Sequence, residues 1–389
     1  MTAAERRQWL ILLGLCLGIC VTNSFARFAY GLVLPAMKAE LGWSYTQAGW
    51  LNTANALGYL AGAVLTMVLI RRVSPARLFS FGFVTTTVAL LATGLDAGLG
   101  WQSLWRFLAG IFGALSFSSA GALAARLFPE DPRRNALAIA LLFGFGGGLG
   151  IVLAGGPLPV MLDRFGPGAW PYGWFVVGGL SLVFLAPGLW AGRALRPPRN
   201  SPPPRVALPM ARMLPLMAAY GAFGLGYFVY FTFLSAWMTE AGAGGGFIAL
   251  VWVLLGVCLC LSPFVWRPVL ARHAGGRAMA MILACIALGS ALPVLLPGAL
   301  APPLSALIFG LSVFMAPGAV TSFCRQNLPA EAWGAAIAVF TVVFAASQTL
   351  GPVAAGWIGD RSGDIGHGMI AAALVLAAGA GLALVQKRL

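Results

Sequence analysis

Two arginines sit where a charge is expensive. Arg27 and Arg106 both fall inside long apolar runs of a 389-residue chain. An arginine at the centre of a membrane helix costs at least ~2.5 kcal/mol, so it tends to face a cavity or a partner. Asn23, Arg27 and Tyr30 are spaced i, i+4, i+7, the spacing of one α-helical face. Such a patch suits a polar pathway in which the guanidinium holds a substrate anion. A plainer reading puts Arg27 near an interface, 18 residues beyond Trp9, where it snorkels or bonds a carbonyl. Arg106 is open to the same pair of roles, a charge facing the pathway or a hub for helix carbonyls.

Other polar residues fall at helical spacing in apolar runs. Asn52, Asn55 and Tyr59 share one face, and Gln348 stands alone. Amides there either line a pathway or tie helices together. Tyr220, Phe223, Tyr227 and Tyr230 fall near one face of an aromatic-rich run. A tyrosine with one wet end suits a binding cavity, and equally suits helix packing. None of the ten acids lies at mid-helix, and Glu240, at a helix end, is the nearest. The buried carboxylate that proton-driven transporters commonly use is therefore not evident.

Soft ligands give a second chemistry. Met213 and Met217, and likewise Cys16 and Cys20, stand i, i+4 apart. Thioethers and thiols select Cu(I), although both residue types are also ordinary packing groups. Enzyme chemistry finds little support. The only lysines are Lys38 and Lys387, no nucleotide-binding loop motif occurs, and His273 and His367 are the only histidines. No cofactor is expected.

The elements that must carry these residues follow from composition. The chain is 60% hydrophobic and 9% charged, against about 25% charged in a soluble domain. That leaves too little polar material to cover a water-facing surface, and the bilayer is the solvent that fits. A net charge of +14 does not signal nucleic-acid binding, because the basic residues fall in short clusters between apolar runs. The apolar run after Arg6 and Arg7 continues to Leu34 without a cleavage-type site, so it reads as a retained first helix.

Twelve spans are expected, at roughly 9–34, 45–70, 78–95, 101–126, 135–161, 170–192, 213–238, 247–266, 277–296, 302–323, 332–358 and 367–386. With a cytoplasmic N-terminus, nineteen basic residues fall on the cytoplasmic side and three, Lys38, Arg164 and Arg361, on the other. That bias supports cytoplasmic termini, an even helix count and an inner-membrane location. The proline-rich basic stretch 193–209 reads as an extended linker. It separates an N-terminal six-helix bundle (1–192) from a C-terminal one (213–389), with 193–212 as cytoplasmic linker. Pro129 and Pro329, and Arg77 and Arg277, stand 200 residues apart. "DRFG" at 163–166 parallels "DRSG" at 360–363. Matches at one offset point to duplicated halves.

At this point the chain resembles the major facilitator superfamily over nearly its whole length. "RFLAG" at 106–110, with Gly113, resembles that superfamily's fourth-helix arginine–glycine motif. "GFGGGLGIVLAGGP" at 144–157 resembles its glycine-rich fifth helix, and "GPVAAGWIGDRSG" at 351–363 the end of its eleventh. "RFAYGLVLPAMKAELGWSYTQAGWL" at 27–51 is similar to the YbfB/YjiJ-like branch. Two departures stand out. The loops "RRVSPAR" and "RPVLARHAGGR" lack the usual acid, and Pro157 follows the glycines instead of interrupting them. A loop-acid gate and antiport are therefore not inferred.

The resemblance implies an all-α polytopic membrane protein, with twelve transmembrane helices in two six-helix bundles related by a pseudo-two-fold axis. It implies a secondary active transporter of a small solute, most simply a monomer. The residues expected to line its pathway are Asn23, Arg27, Tyr30, Asn52, Asn55, Arg106, Tyr220, Tyr227, Tyr230 and Gln348. The absence of any acid to neutralise the arginines favours an organic anion. A copper transporter, and a non-transporting receptor or assembly factor, remain the alternatives.

Overall fold

In the computed structural model, described for residues 2–70, 72–195 and 208–389, twelve helices are long and apolar enough to cross a bilayer. They are α1 (Ala3–Leu41), α2 (Tyr45–Leu69), α3 (Pro75–Thr93), α4 (Leu99–Ala124), α5 (Arg133–Phe165) and α6 (Pro167–Ala194). The second set is α7 (Met210–Glu240), α8 (Gly245–Arg272), α9 (Arg277–Leu295), α10 (Ala301–Asn327), α11 (Ala330–Ser362) and α12 (Ile365–Val385). Each expected span corresponds to one helix. The helices run several residues past the apolar windows, because cap residues such as Thr2 and Ser44 extend them into polar sequence. Of the expected linker, residues 196–207 and their basic side chains lie outside the described residues, as does Arg71.

The duplication is visible in the turns. Gly42 and Gly242, at the α1–α2 and α7–α8 corners, both take the left-handed conformation, at φ 64° and 81°. Gly166 and Gly363, after α5 and α11, also have positive φ, at 81° and 74°. The twelve helices form the two-bundle arrangement expected of the superfamily fold, whose halves are related by a pseudo-two-fold axis.

Small residues let the bundles close. A side chain on Gly110 of α4 would collide with the Asn55 carbonyl of α2, which holds those two helices in backbone contact. Between the halves, a Cβ on Gly256 of α8 would lie 2.7 Å from the Gly148 carbonyl of α5. The glycine-rich run of α5 is therefore a packing surface for α8. Leucines, valines and phenylalanines such as Val68, Leu182 and Leu374 face outward, as a lipid-facing surface requires.

Helix α1 is irregular where it matters. Cys20–Phe28 is π-helical, and the Ala29 amide reaches back to the Ser24 carbonyl, five residues away. A π turn holds more residues than an α turn, so side chains after it are rotated relative to α spacing. The face expected for Asn23, Arg27 and Tyr30 is accordingly split. Arg27 points at the C-terminal half. Tyr30 turns back into its own bundle, bonding the Ala48 carbonyl at 2.8 Å and stacking on Trp174.

Candidate functional site between the two bundles

Arg27 is 3% exposed and lies near the middle of α1, at the interface of the halves. Its Nη2 donates to the Tyr227 hydroxyl of α7 at 2.9 Å and to Gln348 Oε1 of α11. The Tyr227 hydroxyl in turn donates to Gln348 Oε1 at 3.0 Å. Aromatic rings from both halves lie against the guanidinium. Its central carbon lies 4.3 Å from the Tyr59 ring centre and 4.9 Å from that of Phe228. Such cation–π contacts contribute ~2 kcal/mol or more when desolvated. Arg27 Nε and Gln348 Nε2 are buried without a partner.

Arg106 is fully buried and looks elsewhere. Its Nη1 donates to the Ala26 carbonyl at 2.6 Å, and its Nη2 to Asn52 Oδ1 at 2.7 Å and to the Arg27 carbonyl at 3.5 Å. It thus clips the π-helical stretch of α1 from behind, beneath the Tyr30 and Trp174 rings. Asn55 ties the same layer together, donating to the Ala26 and Arg106 carbonyls. Asn52 crosses to the other half, donating to Thr232 at 2.7 Å. Tyr230 shares a hydrogen bond with Ser305 and stacks on Phe309, inside the C-terminal bundle. Asn23 is buried in the π-helical stretch.

Tyr220 belongs to a ring ladder. Phe223 stacks on Tyr220, Tyr227 and Phe344 at centroid distances of 5.6, 4.7 and 5.5 Å, Tyr220 stacks on Phe344 at 5.4 Å, and Phe344 lies tilted against Tyr227 at 5.5 Å. The ladder starts at Arg27 and runs toward the end of the bundle that carries the chain termini.

The opposite, remote end is clasped. Asp360 at the end of α11 accepts from the Tyr45 amide at 2.7 Å and the Thr46 amide at 2.8 Å, the first turn of α2. Asp163 at the end of α5 accepts from the Gly245 amide at 3.0 Å, the first turn of α8. The two aspartates are the "DRFG" and "DRSG" residues, and each caps a helix N-terminus of the other half, where a carboxylate is favoured. Glu240 adds to the same end, accepting from the Tyr45 hydroxyl at 2.5 Å and pairing with Lys38 at 3.3 Å. Sequence reasoning noted these acids as repeat markers and not as clasps. An acid followed by a turn glycine at a helix end, in both halves, was the available signal.

The soft-ligand candidates are otherwise engaged. Cys20 Sγ donates to the Gly146 carbonyl at 3.0 Å and Cys16 Sγ to that of Leu141 at 3.7 Å. Met213 is buried in the core of its bundle.

Two six-helix bundles meeting around a layer of buried arginines and amides fit a membrane transporter of the major facilitator type. The chain belongs to that superfamily: residues 19–384 match the family described as uncharacterised MFS-type transporter YbfB. The branch expected from residues 27–51 is thereby met, and the protein is a transporter, not an enzyme. Among curated proteins, it is 25% identical over 198 residues to a probable anion transporter 4, chloroplastic, of Oryza sativa subsp. japonica. It is 26% identical over 198 residues to a voltage-gated purine nucleotide uniporter of Rattus norvegicus. It is 30% identical over 254 residues to a chloramphenicol resistance protein of Streptomyces lividans. These matches cover 50%, 47% and 62% of this chain and 32%, 42% and 62% of the relatives. Among solved structures, a bacterial homolog of the human lysosomal transporter Spinster, inward-facing and unoccupied, superposes with a TM-score of 0.70 at 17% identity, covering 99% of this chain and 97% of that one. The occupied form gives 0.70 at 18% identity, covering 100% and 98%. At that identity the likeness concerns the fold.

Proposed function

We propose that the protein moves small organic anions across the bacterial inner membrane by alternating access, with Arg27 as the anion's anchor. The observation that carries the reading is a buried guanidinium at the seam of the two halves whose side-chain partners are all neutral. A desolvated arginine keeps its proton, and neutral dipoles offset only part of its burial cost. A substrate anion supplies the rest and is held where a rocking motion exposes it to either side. Similarity to a probable anion transporter points the same way.

The arrangement is read as the state closed at the remote end. Asp163, Asp360, Glu240 and Lys38 join the halves at the remote end. The basic clusters support a cytoplasmic terminal end, by the positive-inside rule. Asn23, Asn52, Tyr220 and Tyr230 are assigned to the pathway walls, and Arg106 and Asn55 to the support behind Arg27. The chain is taken to act as a monomer, since its binding layer is complete within one copy.

Purified protein in liposomes tests the reading. Uptake of an organic anion that is lost in Arg27→Gln supports it. Flux confined to cations or neutral solutes, or to Cu(I), refutes it. A protein without flux across a broad solute panel that instead captures a specific partner is a receptor or assembly factor.

A further inference from the structure

Resting on the anion reading, we infer that the substrate class is narrower: aromatic monocarboxylates, with the carboxylate on the free edge of Arg27 and the ring along the Tyr220–Phe223–Phe344 ladder.

The first step is the unspent hydrogen-bonding capacity of the central cluster. Tyr227 accepts from Arg27 and donates to Gln348 Oε1, which also accepts from Arg27. Of these three side chains, what remains buried and unpaired is Arg27 Nε and Gln348 Nε2, and both are donors; in the layer behind them Arg106 Nε and Asn55 Oδ1 are also unpaired. A buried donor left unpaired costs ~1–3 kcal/mol, so the site is complementary to a ligand that brings acceptors only. A carboxylate is such a ligand.

The second step is shape. The Tyr59 and Phe228 rings lie 4.3 and 4.9 Å from the guanidinium carbon. The N–H bonds of a guanidinium lie in its plane, so an acceptor meets Arg27 at an edge. Nε and Nη2 form one such edge, the fork that a planar carboxylate meets side-on with two parallel bonds. In the structure that edge is half occupied, by the Gln348 and Tyr227 oxygens on Nη2.

The third step is charge. Arg106, the other cation in the membrane interior, spends its Nη donors on the Ala26 and Arg27 carbonyls and Asn52, all in its own half, and its Nε is buried without a partner. Of the two guanidiniums only that of Arg27 reaches side chains of the other half. A phosphate ester or nucleotide would carry a second negative charge to a seam that offers one cation, at a cost of several kcal/mol.

The fourth step is the body of the ligand. The rings of Phe223, Tyr227 and Phe344 lie within 31° of parallel, and Phe344 is only partly buried. A flat ring entering from the terminal end meets stacked faces, which add ~0.5–1.5 kcal/mol beyond area burial, or ~2–10-fold in affinity.

Calorimetric titration of the detergent-purified full chain at neutral pH tests the inference, with benzoate, cyclohexanecarboxylate, benzamide, inorganic phosphate and ATP as probes. Benzoate should bind, with cyclohexanecarboxylate ~2–10-fold weaker and benzamide, phosphate and ATP not detected. Arg27→Gln should lose benzoate binding. Phe344→Ala, which leaves the charge cluster intact, should bring benzoate and cyclohexanecarboxylate to equal affinity. Phosphate or ATP binding that depends on Arg27 overturns the monocarboxylate class and leaves the anion reading standing. Equal affinity for the two carboxylates in the unaltered protein overturns the aromatic part. Binding of benzamide as tightly as benzoate, insensitive to Arg27→Gln, overturns both readings, and failure of benzoate to bind overturns this inference.

Discussion

Arg27 of α1 and Tyr227 of α7 stand 200 residues apart in the chain and bond to each other at 2.9 Å across the seam of the two bundles. Arg27→Gln should keep the protein folded and cut anion flux by ~30-fold or more, the ~2–5 kcal/mol scale of a buried charge-assisted pair. Arg27→Lys should recover little, since an ammonium cannot offer the planar fork. Initial uptake rates in liposomes, normalised to inserted protein, check both.

The remote clasp should set the conformational balance. Asp360 and Asp163 hold the first turns of α2 and α8 across the seam. Each carboxylate at a helix N-terminus contributes ~0.3–2 kcal/mol, so Asp360→Asn with Asp163→Asn should shift the population toward opening at that end by up to ~1,000-fold. A single cysteine at Thr53, which is buried below the clasp with its hydroxyl on the Thr349 carbonyl, reports the change. Its labelling by an impermeant thiol reagent should accelerate in the double variant. Unchanged labelling would mean that the two aspartates do not hold the gate.

Gly31 offers the converse lever. A Cβ at this position of α1 would collide with the Phe231 carbonyl of α7. The contact lies between halves, so each bundle can still form. Gly31→Val should hold the remote end apart, abolish flux and raise labelling at the Thr53 cysteine. A variant that transports normally would show that α1 and α7 need not approach this closely in the cycle.

Arg106 should matter to stability before it matters to substrate. Arg106→Leu deletes the donor for the Ala26 and Arg27 carbonyls and for Asn52 Oδ1. Stranded buried acceptors cost ~1–3 kcal/mol each, so the melting temperature in detergent should fall by several degrees. Any loss of anion affinity should be smaller than in Arg27→Gln. A fully stable Arg106→Leu that has lost all binding would place this arginine on the ligand instead.

The sequence alone determined the solvent, the helices and the duplication. Apolar runs of bilayer length admit one kind of backbone, because every amide must be satisfied within its own segment. The 200-residue offset and the paired turn glycines are likewise local facts. That Arg27 and Arg106 lie inside helices was legible for the same reason. What they face was not. A π-helical stretch over Cys20–Phe28 broke the i, i+4, i+7 face and sent Arg27 and Tyr30 in different directions. Tertiary packing alone decided that Tyr59 and Phe228 enclose the guanidinium, that Gln348 reaches it from α11, and that Asp163 and Asp360 close the far end. Lipid offers no hydrophobic difference between one apolar helix face and another, so hydrophobic pattern carries little information about helix pairing in a membrane. The pairing comes from small residues, from shape, and from the few polar groups that must find one another.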